Sequence, residues 1–447
     1  MGDSSSISRR DFLQLSGGAL ASTQWEDEPS SQQSPPNIVL LLADDLGYGD
    51  LQCYGHPRIR TPNLDRLATD GLRLTSLYSS PTCVPSRYQL LTGRHLARSE
   101  IRGTGATGTD GLSEDEVTLA EGVQKAGYET HMVGKWHLGH AESRFLPTHH
   151  GFDSWFGVPY SNDGRAPWVD AEEPLRLYRG TTPVGTVEGR TPLTPRYTKE
   201  AVRSIQEADS PFLLYFAYNM PHLPLQVPPR FQGRSDAGLY GDAVELIDWS
   251  VGRILEALDA TGQRDNTIVV FASDNGPWLD LPRRMRRGEN ERWHAGSPGP
   301  FRGHKATTYE GGVRVPGLVR WPGEVPEART SSDIVGLHDF YPTLLRAAGG
   351  QIPQDRPLDG KNVLPFLRGE RPSPRTHYYY FEGHTLEAVR SGPWKFRLQP
   401  QFKRQRQLFH LHRDPGERFN VVGTYPERAD QLEARLNAFA EEVGAQE

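Results

Sequence analysis

The sequence predicts an α/β fold: a mainly parallel central sheet flanked by helices, then a small C-terminal α+β unit with an antiparallel sheet. Three observations predict it. Continuous apolar runs of strand length recur at Asn37-Ile38-Val39-Leu40-Leu41-Leu42-Ala43, Thr130 to Val133, Phe212 to Tyr218 and Thr267 to Ala272, as in strands buried on both faces. Helical patterns lie between the runs, and such alternation is the signature of a parallel sheet with crossover helices. Beyond residue 375 the pattern changes to neighbouring short strands followed by one helix.

Taken in order, Thr61-Pro62 reads as an N-cap with proline at the first helical position. Thr118 with Glu121 forms a capping-box pattern, and Gly127 is placed to end that helix. Asp242 to Ala257 carries apolar residues at helical spacing. His377 to Glu382, Ala388 to Leu398 and Gln407 to His412 read as short strands, with Asp414-Pro415-Gly416 as a turn. Pro426 to Val443 reads as a helix with Leu432, Leu436 and Phe439 on one face. Residues 160–210 and 276–306, rich in Gly, Pro, Arg and Asp, are expected to be long loops. The expected organisation is an N-terminal segment at 1–35, a large domain at 36–350, and a linker with the small α+β domain at 351–447.

The bulk composition excludes several classes. The chain has 447 residues and a net charge of -6, which gives no electrostatic reason to expect nucleic acid as a partner. No apolar stretch is long enough to cross a bilayer, so stable membrane insertion is not expected. The two cysteines, Cys53 and Cys83, rule out a disulfide framework as the main source of stability. Ser8-Arg9-Arg10-Asp11-Phe12-Leu13 resembles a twin-arginine export signal, with Ala19-Leu20-Ala21 as a small-residue cleavage site. That predicts a periplasmic or extracellular protein.

Polar clusters follow each long apolar run: Asp44-Asp45, Lys135-Trp136-His137, His222, and Asp274-Asn275. A single carboxylate at a strand end is ordinarily a helix cap or a turn former. Four such clusters in one pattern, at the carboxyl ends of parallel strands where ligands bind, indicate a site. Asp44, Asp45, Asp274 and Asn275 offer only hard oxygen ligands, suited to calcium or magnesium rather than zinc. With Lys135 and two histidines opposite, the residues indicate metal-assisted hydrolysis of an anionic ester, phosphate or sulfate.

Cys83-Val84-Pro85-Ser86-Arg87 followed by Leu91-Thr92-Gly93-Arg94 resembles the maturation signature of type I sulfatases, in which the cysteine is oxidised to Cα-formylglycine. Further segments are similar to that family in order: Ala43 to Asp50, Gly134-Lys135-Trp136-His137-Leu138-Gly139, Pro159 to Asp163, Met220-Pro221-His222, Ser273-Asp274-Asn275-Gly276, Gly303-His304-Lys305 and Tyr309-Glu310-Gly311-Gly312. The likeness is strongest to arylsulfatase A and N-acetylgalactosamine-6-sulfatase, and runs from Asn37 to Asp414-Pro415-Gly416-Glu417. It implies an alkaline-phosphatase-like fold, a formylglycine-generating maturation enzyme as partner, and a sulfated small molecule or glycan as substrate.

The resemblance also implies roles. Asp44, Asp45, Asp274, Asn275 and modified Cys83 hold the cation, calcium or alternatively magnesium. Arg87 orients the hydrated aldehyde, one hydroxyl of which attacks sulfur while the other later expels sulfate. Lys135, Ser161, His222 and Lys305 bind the sulfate group. His222, with Lys305, protonates the leaving alcohol, and His137 is the base for sulfate release. Asn162 departs from the pattern, since relatives often carry histidine there. Cys53 is expected to be structural.

Two other functions compete: a phosphonate monoester or phosphodiester hydrolase of the same fold, and a non-catalytic binder of sulfated glycans with Cys83 unmodified. Arg283, Arg284, Arg286 and Arg287 form a basic run. It reads either as a solvated loop face or as a subsite for a further sulfate or uronate.

Overall fold

The computed structural model describes residues 35–104, 108–169, 174–188, 191–399 and 405–445. The arginine pair at 9–10 and the cleavage-site pattern lie outside the described residues.

Among the described residues the main sheet has eleven strands. Its order is Arg329–Ser331, Leu72–Tyr78, Arg314–Arg320, Thr267–Ser273, Asn37–Ala43, Phe212–Ala217, Glu129–Lys135, Ser154–Val158, Arg176–Arg179 and Thr182–Thr186, with Val335–Gly336 also pairing with Leu72–Tyr78. The centre is parallel, as expected: Asn37–Ala43 runs parallel to both neighbours, and Glu129–Lys135 parallel to Phe212–Ala217 and Ser154–Val158. Antiparallel pairing enters with Arg314–Arg320 and at the Arg176–Thr186 end.

The first strand shows why its run is apolar throughout. Ile38, Leu40 and Leu42 enter one core, whereas Val39, Leu41 and Ala43 enter the other. Side chains alternate across a strand, so a strand covered by helices on both faces has no polar side. Each such leucine contributes roughly 1.5–3 kcal/mol when fully buried. The capping box at Thr118 and Glu121 is present; that helix, Leu119–Gln124, ends before Gly127, which is left-handed with φ 88°.

A second sheet, His377–Glu382, Thr385–Ser391, Trp394–Gln399 and Gln405–His410, is antiparallel throughout and is packed by helix Pro426–Val443. The run expected as one strand from Ala388 to Leu398 is a hairpin turning at Gly392, which sits at φ 55°.

Residues 160–210 are not one long loop. They contain the Arg176–Arg179 and Thr182–Thr186 strands and helix Leu193–Glu207. In that helix Leu193, Tyr197, Ala201 and Ile205 recur every fourth residue and are buried, a stripe masked in the sequence by the flanking prolines and glycines. Residues 276–306 do form a loop, broken only by the short turn Arg283–Arg286. Among the described residues no helix is long and apolar enough to cross a membrane.

Candidate active site

Strand register assembles the site. Ala43 pairs with Ser273, so the next residues, Asp44 and Asp274, emerge side by side; Asp274 N–H donates to Ala43 O at 3.0 Å. Lys135 ends its strand two places over, where Gly134 pairs with Ala217. Only glycine serves at 134, because a Cβ would stand 1.8 Å from Ala217 O. Cys83 opens helix Cys83–Thr92, which is buried on all sides and therefore has no amphipathic stripe. Asp45, His137 and Ala306 hold positive φ, at 67°, 64° and 64°, and such left-handed backbone in non-glycine residues collects at functional sites.

The metal-ligating atoms of Asp44, Asp45, Cys83 and Asp274 all lie within 4.8 Å of one another, and all four residues are buried. Three cationic side chains surround them. Lys135 Nζ donates to Asp44 at 2.6 Å, Arg87 Nη2 to Asp274 at 2.8 Å, and Lys305 Nζ to both Asp45 oxygens at 2.7 and 2.9 Å. Cys83 Sγ lies 3.4 Å from Asp44 Oδ1 and 3.5 Å from Lys305 Nζ. Burial and the nearby Asp274 push the Cys83 thiol well up.

The carboxylates are unequal. Burial alone would raise Asp44, but Lys135, His222, Arg87 and Lys305 together hold it well below its ordinary value. Burial and Asp44 push Asp274 up to about 7 despite Arg87. Each carboxylate has one of the three cations as its partner, yet their oxygens crowd within 4.8 Å of one another, the spacing that a shared divalent cation relieves. The amide beside them agrees. Asn275 Nδ2 donates to Asp45 Oδ1 at 2.7 Å, whereas the buried Asn275 Oδ1 has no hydrogen-bond partner among the described residues. An acceptor left among acceptors fits an oxygen-ligated metal ion.

Ser161 and the two histidines stand on the facing wall. Ser161 Oγ is 3.4 Å from both Lys135 Nζ and His222 Nδ1, and Asn162 Nδ2 donates to Pro224 O at 2.9 Å. The amide at 162 is therefore a brace for the loop carrying His222. His222 Nδ1 contacts Leu223 O at 2.5 Å, which assigns its proton to Nδ1, and Nε2 faces Asp45 at 3.7 Å. Burial and Lys305 lower the His222 pKa; burial, Lys135 and Arg87 lower that of His137 further. His137 packs edge-on against Tyr160 at 4.8 Å.

Residues 36–350 match the sulfatase family. The chain belongs to the sulfatase family. Residues 302–442 also match the C-terminal region of N-sulphoglucosamine sulphohydrolase. N-acetylgalactosamine-6-sulfatase of Homo sapiens is 39% identical over 440 residues, covering 87% of this chain and 82% of that one. Arylsulfatase A of Homo sapiens is 36% identical over 436 residues, covering 87% and 84%. Among solved structures, the PsFucS1 sulfatase from Pseudoalteromonas sp. superposes with a TM-score of 0.81 at 29% identity over 92% of each chain. The fold is the alkaline-phosphatase-like arrangement expected, and as a sulfatase the chain is a sulfuric ester hydrolase. Sulfatase membership implies a metal ion and a formylglycine, and the buried Asp/Cys cluster is compatible with both.

Every residue singled out for the site lies in this one cluster of side chains, while Cys53 is partly exposed at the edge of a core. The basic run is divided. Arg284 Nη1 is tied to Asp163 at 2.8 Å, whereas the exposed Arg283 side chain makes no hydrogen bond or ion pair among the described residues. Sequence reasoning missed Trp278, whose ring centroid lies 4.3 Å from Lys305 Nζ and 5.2 Å from that of His222. The available signal was an aromatic residue just after Asp274-Asn275-Gly276-Pro277. Sequence reasoning also left Asp50 without a role, although it anchors the turn after Asp45 through Gly47 N–H at 2.6 Å.

Proposed function

We propose that this sulfatase hydrolyses sulfate monoesters of carbohydrate or aryl alcohols, using a bound Ca2+ ion and a formylglycine made from Cys83. The observation that carries the reading is the position of Cys83 Sγ within a 4.8 Å cluster of three carboxylates, with Lys305 Nζ 3.5 Å away. Within the segment Cys83-Val84-Pro85-Ser86-Arg87, a cysteine so placed serves as the precursor of the nucleophile.

Asp44, Asp45, Asp274, Asn275 and residue 83 would hold the cation, and their hard oxygens favour calcium or magnesium. Bound there, the cation would supply Lewis acidity to the reacting ester. Formylglycine supplies a hydrated aldehyde, with two hydroxyls on one carbon.

The remaining work belongs to the encoded side chains. Arg87 orients residue 83 and offsets negative charge developing there. Lys135, Ser161 and Lys305 grip the sulfate oxygens as charge moves onto them. His222 presents Nε2 to the leaving oxygen, with Lys305 beside it, and His137 accepts a proton at sulfate release. Burial keeps both imidazoles neutral in the free protein. An anionic sulfate next to His222 favours its protonation, so the acid is made ready by the substrate.

Export by the twin-arginine-like segment Ser8-Arg9-Arg10-Asp11-Phe12-Leu13 belongs to the same proposal. So does the domain division at residue 350. Replacing both arginines by lysine should retain the protein in the cytoplasm of a Tat-competent bacterial host.

The test is production with and without a formylglycine-generating enzyme, followed by intact mass and assays on paired aryl sulfate and aryl phosphonate esters. Sulfate hydrolysis should track the mass loss expected for oxidation of Cys83. Equal rates before and after that loss, or preference for the phosphonate, would overturn the proposal.

A further inference from the structure

The segment that carries Lys305 is held from two sides. Towards Cys83, Lys305 N–H donates to Pro277 O at 3.0 Å and Ala306 N–H to Pro81 O at 2.7 Å. On the other side stands the C-terminal sheet. Lys395 Nζ, fully buried, donates to Thr308 O at 2.8 Å and to Glu310 Oε1 at 3.0 Å, and pairs with Glu417 Oε1 at 2.9 Å. Glu417 Oε2 accepts the Glu310 N–H at 2.7 Å, and Tyr380 OH donates to Glu310 Oε1 at 3.0 Å. Arg397 Nε donates to Thr308 Oγ1 at 3.0 Å.

Neither Lys395, Glu310 nor Glu417 is reached by solvent. Buried ions are a costly way to join two sheets, because apolar residues of similar volume serve as well or better. Their value lies in specifying one arrangement. Here the bonds converge on the backbone of Thr308 and on Glu310, two and four residues after Ala306. Ala306 itself holds a left-handed φ of 64°, a conformation that persists only where the surroundings over-determine it.

We propose that Lys395 is a positioning residue for sulfate-ester hydrolysis. From the C-terminal sheet it holds Thr308 and Glu310, and thereby sets where the Lys305 ammonium stands over Cys83 and Asp45. The inference rests on the reading that Lys305 acts on the sulfate or the leaving oxygen. It gives the C-terminal sheet a part in the reaction although none of its residues enters the site cluster. Misplacing a reacting group by about 1 Å costs on the order of 100-fold in rate.

The test is kcat on aryl sulfates of graded leaving-group pKa, normalised to formylglycine content by intact mass. Lys305→Met sets the reference and should slow poor leaving groups more than good ones. A uniform response there overturns the role of Lys305 on which the inference rests. Lys395→Met should copy that pattern, with kcat on poor leaving groups down about 10–100-fold and KM little changed. An unaltered leaving-group dependence in Lys395→Met, with the reference pattern present in Lys305→Met, overturns the positioning role alone. The double variant Lys395→Met/Glu417→Gln removes the carboxylate that the single change leaves unpaired. It should regain Tm without regaining kcat, and it carries the comparison if the single variant does not fold. Recovery of kcat together with Tm would make the cluster a fastener between sheets and overturn the proposal.

Discussion

Arg87 and Asp274 form an ion pair that solvent does not reach, with guanidinium Nε and Nη2 both donating to Asp274 Oδ2 at 3.2 and 2.8 Å. The third nitrogen, Nη1, donates to Lys135 O at 3.0 Å, and Asp274 Oδ1 accepts the Asp45 N–H at 3.1 Å. One guanidinium therefore fixes the ends of two strands and the backbone of a third. Arg87→Met leaves a buried carboxylate without its cation and should cost about 3–5 kcal/mol. Denaturant melts would show it, and a variant as stable as the wild type would contradict this account of the pair.

Cys83→Ala should abolish turnover while leaving the melting profile intact, because Cys83 packs as a small side chain at a helix start and its Sγ makes only long contacts. Cys83→Ser offers one hydroxyl where the hydrate offers two. It should take sulfate once and then stall, visible as a single-turnover burst and a sulfate-sized mass increase. Sustained turnover by either variant would remove the formylglycine cycle.

Cation binding should be readable without turnover. A ligand that binds only the folded state at 100 times its Kd stabilises it by about 2.7 kcal/mol. Calcium added to metal-stripped protein should raise Tm accordingly, and Asp45→Asn should blunt the rise. An equal calcium-induced shift in the variant would move the cation elsewhere.

Arg283, without a partner among the described residues, and Arg284, tied to Asp163, allow a clean test of the outer subsite. Arg284→Glu would face Asp163 with a second carboxylate, since the two residues are paired at 2.8 Å, and would disturb the loop after Ser161. Arg283→Glu avoids that. It should raise KM for a polysulfated oligosaccharide several-fold more than for a small aryl sulfate. Equal effects on both substrates would mark the run as a solvated loop face.

Much of this was legible in the chain. The strand-end positions of Asp44, Lys135 and Asp274 follow from apolar runs that the sheet buries, so the site could be placed before its geometry was known. The strand Arg314–Arg320 was not legible, because Pro316 and Gly317 interrupt it and its pairing partners are distant in sequence. The segment Cys83–Thr92 was recognisable by its motif but not as a helix, since a helix buried all round shows no periodic stripe. The link from Lys395 and Glu417 to Thr308 and Glu310 depends on two sheets meeting, and no local pattern encodes that contact. The Asp414-Pro415-Gly416-Glu417 turn was visible, but not what Glu417 reaches.

Asp50 offers a test in pH. Its carboxyl is buried, accepting from Gly47 N–H at 2.6 Å, Ser297 N–H at 2.7 Å and Tyr240 OH at 2.6 Å, yet burial pushes it up to about 7. In the unfolded chain the same group titrates near about 3.9. Between those values the folded state keeps a proton that the unfolded state has lost. The stabilisation is therefore full below the unfolded pKa and is lost as pH rises through the folded one, at most roughly 2–4 kcal/mol. Asp248, pushed up to about 6 by burial, acts in the same sense. His137 and His222, held down by burial, act in the opposite sense below their ordinary value. Only a difference between proteins isolates the group. Asp50→Asn loses an acceptor and should be less stable than the wild type near about pH 5, with the gap closing or reversing near about pH 8. Denaturant melts at the two pH values decide it, and a gap that does not change with pH would return Asp50 to an ordinary ionised carboxylate.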